Sequence, residues 1–165
     1  MPSLEIAQFA LKKFKLWFNV KKTCFLQALN TPKVIFNAEK TDGGDAFNGK
    51  ISFNRVTLNE GSGMSYDGFV APIAGHYKMS FLAAVYGWGK YGETGVRVLK
   101  NGSRVFWNAD YNNASSSHGN QISHDWIMEL KRGDKVSFEV GHGSYLFATS
   151  KVPLNFKGQL VSVES

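Results

Sequence analysis

The chain has 165 residues, 43% of them hydrophobic and 14% aromatic, with 17 glycines and only four prolines, which suits one domain of short strands joined by glycine-bearing turns. Its single cysteine, Cys24, excludes an intrachain disulfide and a cysteine-based metal site. Of the net charge of +6, residues 1–33 hold +5, from six lysines against Glu5, and residues 34–165 hold +1, so the domain lacks the broad positive face that nucleic acid requires.

Residues 1–31 read as a basic amphipathic extension. At 100° per residue, Ile6, Ala7, Ala10, Leu11, Phe14, Trp17, Phe18, Cys24, Phe25 and Leu29 share one broad side, opposite Lys12, Lys13, Lys15, Asn19, Thr23 and Gln27. Lys21 interrupts the apolar side, and Phe9, Leu16 and Leu26 interrupt the polar one. Such a helix can dock on its own domain, bundle with copies of itself, or contact an anionic membrane through residues 4–29. Lysines break every apolar stretch, so neither a secretory leader nor a membrane-spanning helix is expected here.

From Pro32 to the end, residues 32–165, the pattern is β. Val34 to Ala38 is apolar and extended, and Thr41-Asp42-Gly43-Gly44-Asp45 reads as a flexible loop. Ile51 to Phe53 and Val56 to Leu58 are short strands. Gly75 to Tyr86 alternates through its first half, with Tyr77, Met79 and Phe81 on one side and His76, Lys78 and Ser80 on the other, so one face is buried. Gly95 to Lys100 and Arg104 to Trp107 flank Asn101-Gly102, a strong signal for a two-residue hairpin turn with positive φ at both positions. Ile122 to Leu130, Lys135 to Val140 and Phe156 to Val163 follow. The expected architecture is an all-β, ten-stranded antiparallel jelly-roll sandwich with a short N-terminal helical or irregular extension.

Residues 32–163 resemble a complete globular-head domain of the complement C1q family, related in fold to tumour necrosis factor. The matching positions run in the family's order: Val34, Phe36 and Ala38; Phe53, Val56 and Asn59; Gly68-Phe69, Ala71-Pro72, Ala74-Gly75, Tyr77 and Phe81. They continue through Leu99, Asn101-Gly102 and Val105, then Leu130, Gly133-Asp134 and Val136, to Phe156, Gly158 and Leu160. Met79 and Met64 stand where the family usually has aromatics, and a collagen-like stem is absent from this sequence. The resemblance implies a secreted homotrimer that recognises rather than catalyses. Its partner would be a glycan or microbial surface component, as in innate-immune pattern recognition, or a protein receptor, as for a cytokine-like or synaptic-organiser ligand. A third reading places the activity in the basic extension, as a membrane-active protein.

No catalytic residue and no enzyme activity are expected. His76, His118, His124 and His142 are far apart and show no metal-ligand spacing, so they read as solvent-facing, and Cys24 has no nearby base. The residues themselves demand no cofactor. The resemblance raises calcium, for which Asp42 and Asp45 are the candidate ligands, the plainer reading being a solvated turn. For ligand recognition, the segment 86–93 interleaves Trp88 and Tyr91 with glycines, and 110–120 carries Tyr111, Asn113 and His118 among amides and hydroxyls. Together they offer aromatic faces for sugar rings and polar groups for their alcohols; local packing or subunit contact is the alternative. Asn101 and Asn113 both begin N-glycosylation sequons, the first already accounted for by its hairpin.

Overall fold

The computed structural model describes residues 4–29, 32–47, 49–85, 92–112, 120–141 and 146–164. Two compact units emerge, Met1–Pro32 and Lys33–Ser165. The first is built on helix α1, Leu4–Leu29. Its residues are good helix formers for most of their length, and no proline or glycine interrupts them.

The second unit is a sandwich of two antiparallel sheets. In chain order its strands are β1 (Ile35–Lys40), β2 (Gly44–Phe47), β3 (Lys50–Ile51), β4 (Arg55–Glu60), β5 (Met64–Ser65), β6 (Gly68–Val70) and β7 (Gly75–Val85). They continue as β8 (Gly92–Lys100), β9 (Ser103–Asn112), β10 (Asn120–Leu130), β11 (Lys135–Val140), β12 (Leu146–Ala148) and β13 (Leu154–Val163). The larger sheet runs β4-β1-β13-β7, with β10 on the other edge of β7 and β12 and β2 extending it at one end. The smaller runs β5-β6-β11-β8-β9, with β3 also paired to β11. The jelly-roll expectation thus holds, although the described residues form thirteen strands rather than ten, of which β3, β5, β6 and β12 are pieces of only two or three residues.

Alternation is the local cause of the sandwich. Along β7, Tyr77, Met79, Phe81, Ala83 and Val85 are all buried, while the residues between them are exposed or half-buried. The period therefore persists through the strand's second half, beyond the first half where it is plainest in the sequence. Extended backbone sends neighbouring side chains to opposite faces, so one sequence period supplies both an inner and an outer surface.

Between the sheets lies an aromatic core. Phe36 stacks on Phe69 at 4.3 Å and Phe81 on Phe138 at 4.6 Å, and Phe156 meets Phe138 edge-on at 4.6 Å. Each fully buried ring contributes about 1.5–3 kcal/mol through lost apolar exposure. Tyr77 is also fully buried, and its hydroxyl donates to the Ile73 carbonyl at 2.7 Å. Burial pushes its phenol pKa up. Met64 and Met79 occupy the core positions where aromatics were expected, as a flexible thioether can.

The turns follow the sequence closely. Asn101 and Gly102 both have positive φ, 52° and 82°, the combination a tight hairpin needs. The paired strands β8 and β9 extend well beyond the short segments read from the sequence, with a bulge between Val98 and Leu99. One expectation is corrected. Gly44-Asp45-Ala46-Phe47 is not loop but strand β2, because its backbone pairs with β12: Phe47 opposite Leu146 and Gly44 opposite Ala148. Both partners are too short for their alternation to register in the sequence.

Candidate recognition site

Strand register gathers several loop boundaries at one end of the sandwich. Val85 at the end of β7 pairs with both Asn120 at the start of β10 and Leu146 at the start of β12. Gly92 at the start of β8 pairs with Asn112 at the end of β9, and Gly141 donates to Gly95 one turn of the ladder further in. The chain positions that bound 86–91, 113–119 and 142–145 therefore share that end. Trp88, Tyr91, Asn113 and His118 lie outside the described residues, as does His142. Tyr111 is in β9, opposite Glu93, and its side chain lies outside the described residues too.

Close to this end, on the outer face of the smaller sheet, the structure adds a residue that sequence reasoning missed. Trp107 of β9 lies across Gly95 of β8 and Gly141 at the end of β11. A Cβ on Gly95 would come within 2.6 Å of Trp107 Cη2, and one on Gly141 within 2.7 Å of Cζ3. The indole thus rests on backbone where no side chain intervenes, yet it remains 38% exposed. Aromatic cover of cross-strand glycines stabilises a sheet; it also fixes the ring's plane. In the same row, Arg97 stands 5.8 Å from the Trp107 ring and pairs with Glu139 at 3.3 Å. A rigid aromatic face beside a charged donor and a charged acceptor can stack against an apolar ring face and hydrogen-bond its polar groups. The available signal was two glycines within alternating strands, visible as such only once β8 and β11 are known to pair.

Of the two carboxylates proposed for calcium, only Asp42 has a described side chain, and it is already engaged. The Asp42 carboxylate accepts from Lys40 Nζ at 2.8 Å, and that hydrogen bond lowers its pKa. A metal at Asp42 would have to displace that ammonium. Asp45 sits in β2 with its side chain outside the described residues. Calcium takes six to eight oxygens, and no cluster of three acidic, histidine or cysteine side chains occurs among the described residues. The described residues therefore do not fit calcium.

Two histidines are described. His76 is exposed, with Nδ1 at 3.1 Å from Ser162 Oγ. His124 departs from the solvent-facing expectation. It shares the inward parity of Ile122 and Trp126, is half-buried, and stacks on the Trp126 ring at 5.5 Å.

Asp134 organises two turns at once. Its carboxylate accepts from Asn101 Nδ2 at 2.8 Å and from the Lys131 amide at 2.9 Å, and Lys100 Nζ lies 3.0 Å away. The Asn101 bond first, then the Lys131 amide, bring its pKa down to about 2. Because Asn101 Nδ2 is the atom a sugar would occupy, this sequon is committed to the turn.

Two facing antiparallel sheets in this strand order define a jelly-roll fold. The family model described as C1q domain matches residues 19–161, and the chain belongs to that family. Solved structures of similar fold include the globular domain of zebrafish complement 1qA protein, at 19% identity over 80% of this chain and 99% of that one, TM-score 0.62. Murine APRIL at pH 5.0 follows at 11% identity, over 78% of this chain and 99% of its own, TM-score 0.62. Eiger TNF from S. frugiperda stands at 8% identity, covering 82% and 96%, TM-score 0.63. These likenesses concern the fold. The search of curated proteins returned no sequence match.

Proposed function

We propose that this protein is an extracellular, non-enzymatic recognition module that acts as a homotrimer and binds a glycan or microbial surface component. The observation that carries the ligand reading is the seat of Trp107 beside the sandwich end where three loop boundaries converge. A sugar ring offers an apolar face for the indole and hydroxyls for Arg97, Glu139 and the polar residues Tyr111, Asn113 and His118. Trp88 and Tyr91 are the further aromatic candidates.

The outer face of the larger sheet supports the trimer. Leu58, Leu82, Ile127 and Val161 are exposed there, with Ile127 at 61%. Of these, Leu58 also lines a groove of about 500 Å³, together with Ile35, Ser80 and Lys157. Ile127 and Val161, both more than half exposed, are the apolar side chains that a subunit contact on this face would cover.

A glycan array and a lipopolysaccharide screen on the full-length protein test the reading. Trp107→Ala, and separately Trp88→Ala with Tyr91→Ala, should lower glycan signal at least tenfold while the sedimentation coefficient stays that of the trimer. Capture of a protein receptor with no glycan signal would replace this reading with that of a receptor-clustering ligand, and unchanged glycan binding in all variants would remove these aromatics from the site.

A further inference from the structure

The recognition reading leaves α1 without a role. Every described side chain from Gln8 to Lys22 is exposed, and seven of them are large, apolar and more than half accessible. At 100° per residue, Gln8, Lys12, Lys15, Asn19 and Lys22 fall within an arc of about 80°. The apolar residues fill the rest, Leu11, Phe14, Trp17 and Phe18 in one group and Phe9, Leu16 and Val20 in another. Lys13 and Lys21 sit among them, but each ammonium lies over the ring one turn earlier, 4.8 Å from the Phe9 centroid and 4.2 Å from that of Trp17. Their stems thus add to the apolar surface while their heads stay free to reach polar surroundings.

A bundle of identical helices fits this pattern poorly. A heptad seam through Leu11, Phe14 and Phe18 continues at Lys21, and the positions beside it bring Lys15 and Lys22 with no carboxylate opposite. Glu5 is the only acidic residue in the helix against five lysines. Such a bundle would bury a lysine from every copy and leave Phe9 and Leu16 in water. An anionic phospholipid surface matches both halves of the helix at once, because its phosphates answer the narrow lysine stripe and its acyl boundary takes the wide aromatic side. The helix is not apolar enough to cross a membrane.

We propose that α1 binds the interface of an anionic phospholipid bilayer, lying in its plane with Phe14, Trp17 and Phe18 inserted and Lys12, Lys15 and Lys22 toward the headgroups. Full-length protein is sedimented with vesicles of phosphatidylcholine alone, or of equal parts phosphatidylcholine and phosphatidylserine. The protein should pellet with the anionic vesicles only, and less as salt is raised. Each lysine at such a surface strengthens binding by about fivefold, so Lys12→Glu, Lys15→Glu and Lys22→Glu together should weaken it by at least about a hundredfold. Trp17→Ser with Phe18→Ser should abolish it while leaving the far-ultraviolet β signal and lipid-free sedimentation unchanged. Equal pelleting on both vesicles, or none, overturns the proposal. A smaller lipid-free assembly in the Trp17→Ser, Phe18→Ser protein also overturns it, by assigning the apolar side to a bundle. The vesicles carry no sugar, so the result is independent of glycan recognition.

Discussion

At the scale of single residues, Asp134 shows how one carboxylate can hold two turns. It fixes Asn101 from one side, while the Asn101 side-chain oxygen accepts from the Lys135 amide at 2.8 Å on the other. Asp134→Ala should therefore destabilise the domain by about 1–3 kcal/mol, read as a lower urea midpoint at neutral pH. The folded pKa of about 2 lies below the ordinary 3.8, so the folded state binds this proton more weakly than the unfolded chain. The contribution is then complete above about pH 4 and is lost as the pH falls from about 4 towards 2. The gap in stability between wild type and Asp134→Ala should narrow over that interval; a gap independent of pH would mean that the side chain acts through shape alone. The sequence exposed Asp134 as a turn residue, but its link to the Asn101 hairpin joins segments that only folding brings together.

Among the elements, the longest alternating strands were the easiest to read and the shortest pairings the hardest. β7 and β11 alternate over enough residues for one face to declare itself, whereas β2 and β12 offer too few positions for any period to show. β13 carries a different message in Gly158. A Cβ there would lie 2.6 Å from Phe36 Cζ and 2.9 Å from the Lys78 carbonyl oxygen, and the carbonyl belongs to a neighbouring strand that cannot yield independently. Gly158→Ala should cost about 1–3 kcal/mol through overpacking, measured by chemical denaturation, with no such penalty at Gly102, where a Cβ meets nothing within 4 Å. At Gly102 the cost comes instead from positive φ, about 1 kcal/mol. A Gly158→Ala protein as stable as wild type would show that Phe36 moves aside freely.

For the whole molecule, the outer face of the larger sheet divides into two regions. Towards β4 it is knit by polar contacts, Asn155 to Asn37 at 2.8 Å and Asn37 to Thr57 at 2.6 Å, with Arg55 bound to Glu39 beside them. Towards β10 the outward residues include Ser123, Asp125, Ile127 and Glu129, and Ile127, 61% exposed, is the most exposed large apolar residue among the described residues of the sandwich. Ile127→Asp would place a charge within the proposed subunit contact, where an unpaired buried charge costs several kcal/mol. Sedimentation velocity should then show protomers in place of trimers, with the thermal transition of the isolated domain largely kept because Ile127 points away from the core. A variant that sediments like wild type would move the contact to another face.

Fold class, the positions of the hairpin and main strands, the buried aromatics and the concentration of basic charge in residues 1–33 were all determined by the sequence itself. Each depends on a local period or on composition, and these act before distant segments meet. The seat of Trp107 and the tie between Asp134 and Asn101 were decided by the tertiary structure. Gly95 and Gly141 become a single surface only when β8 and β11 pair in one register, and register is a property of two strands together that no period within either one specifies.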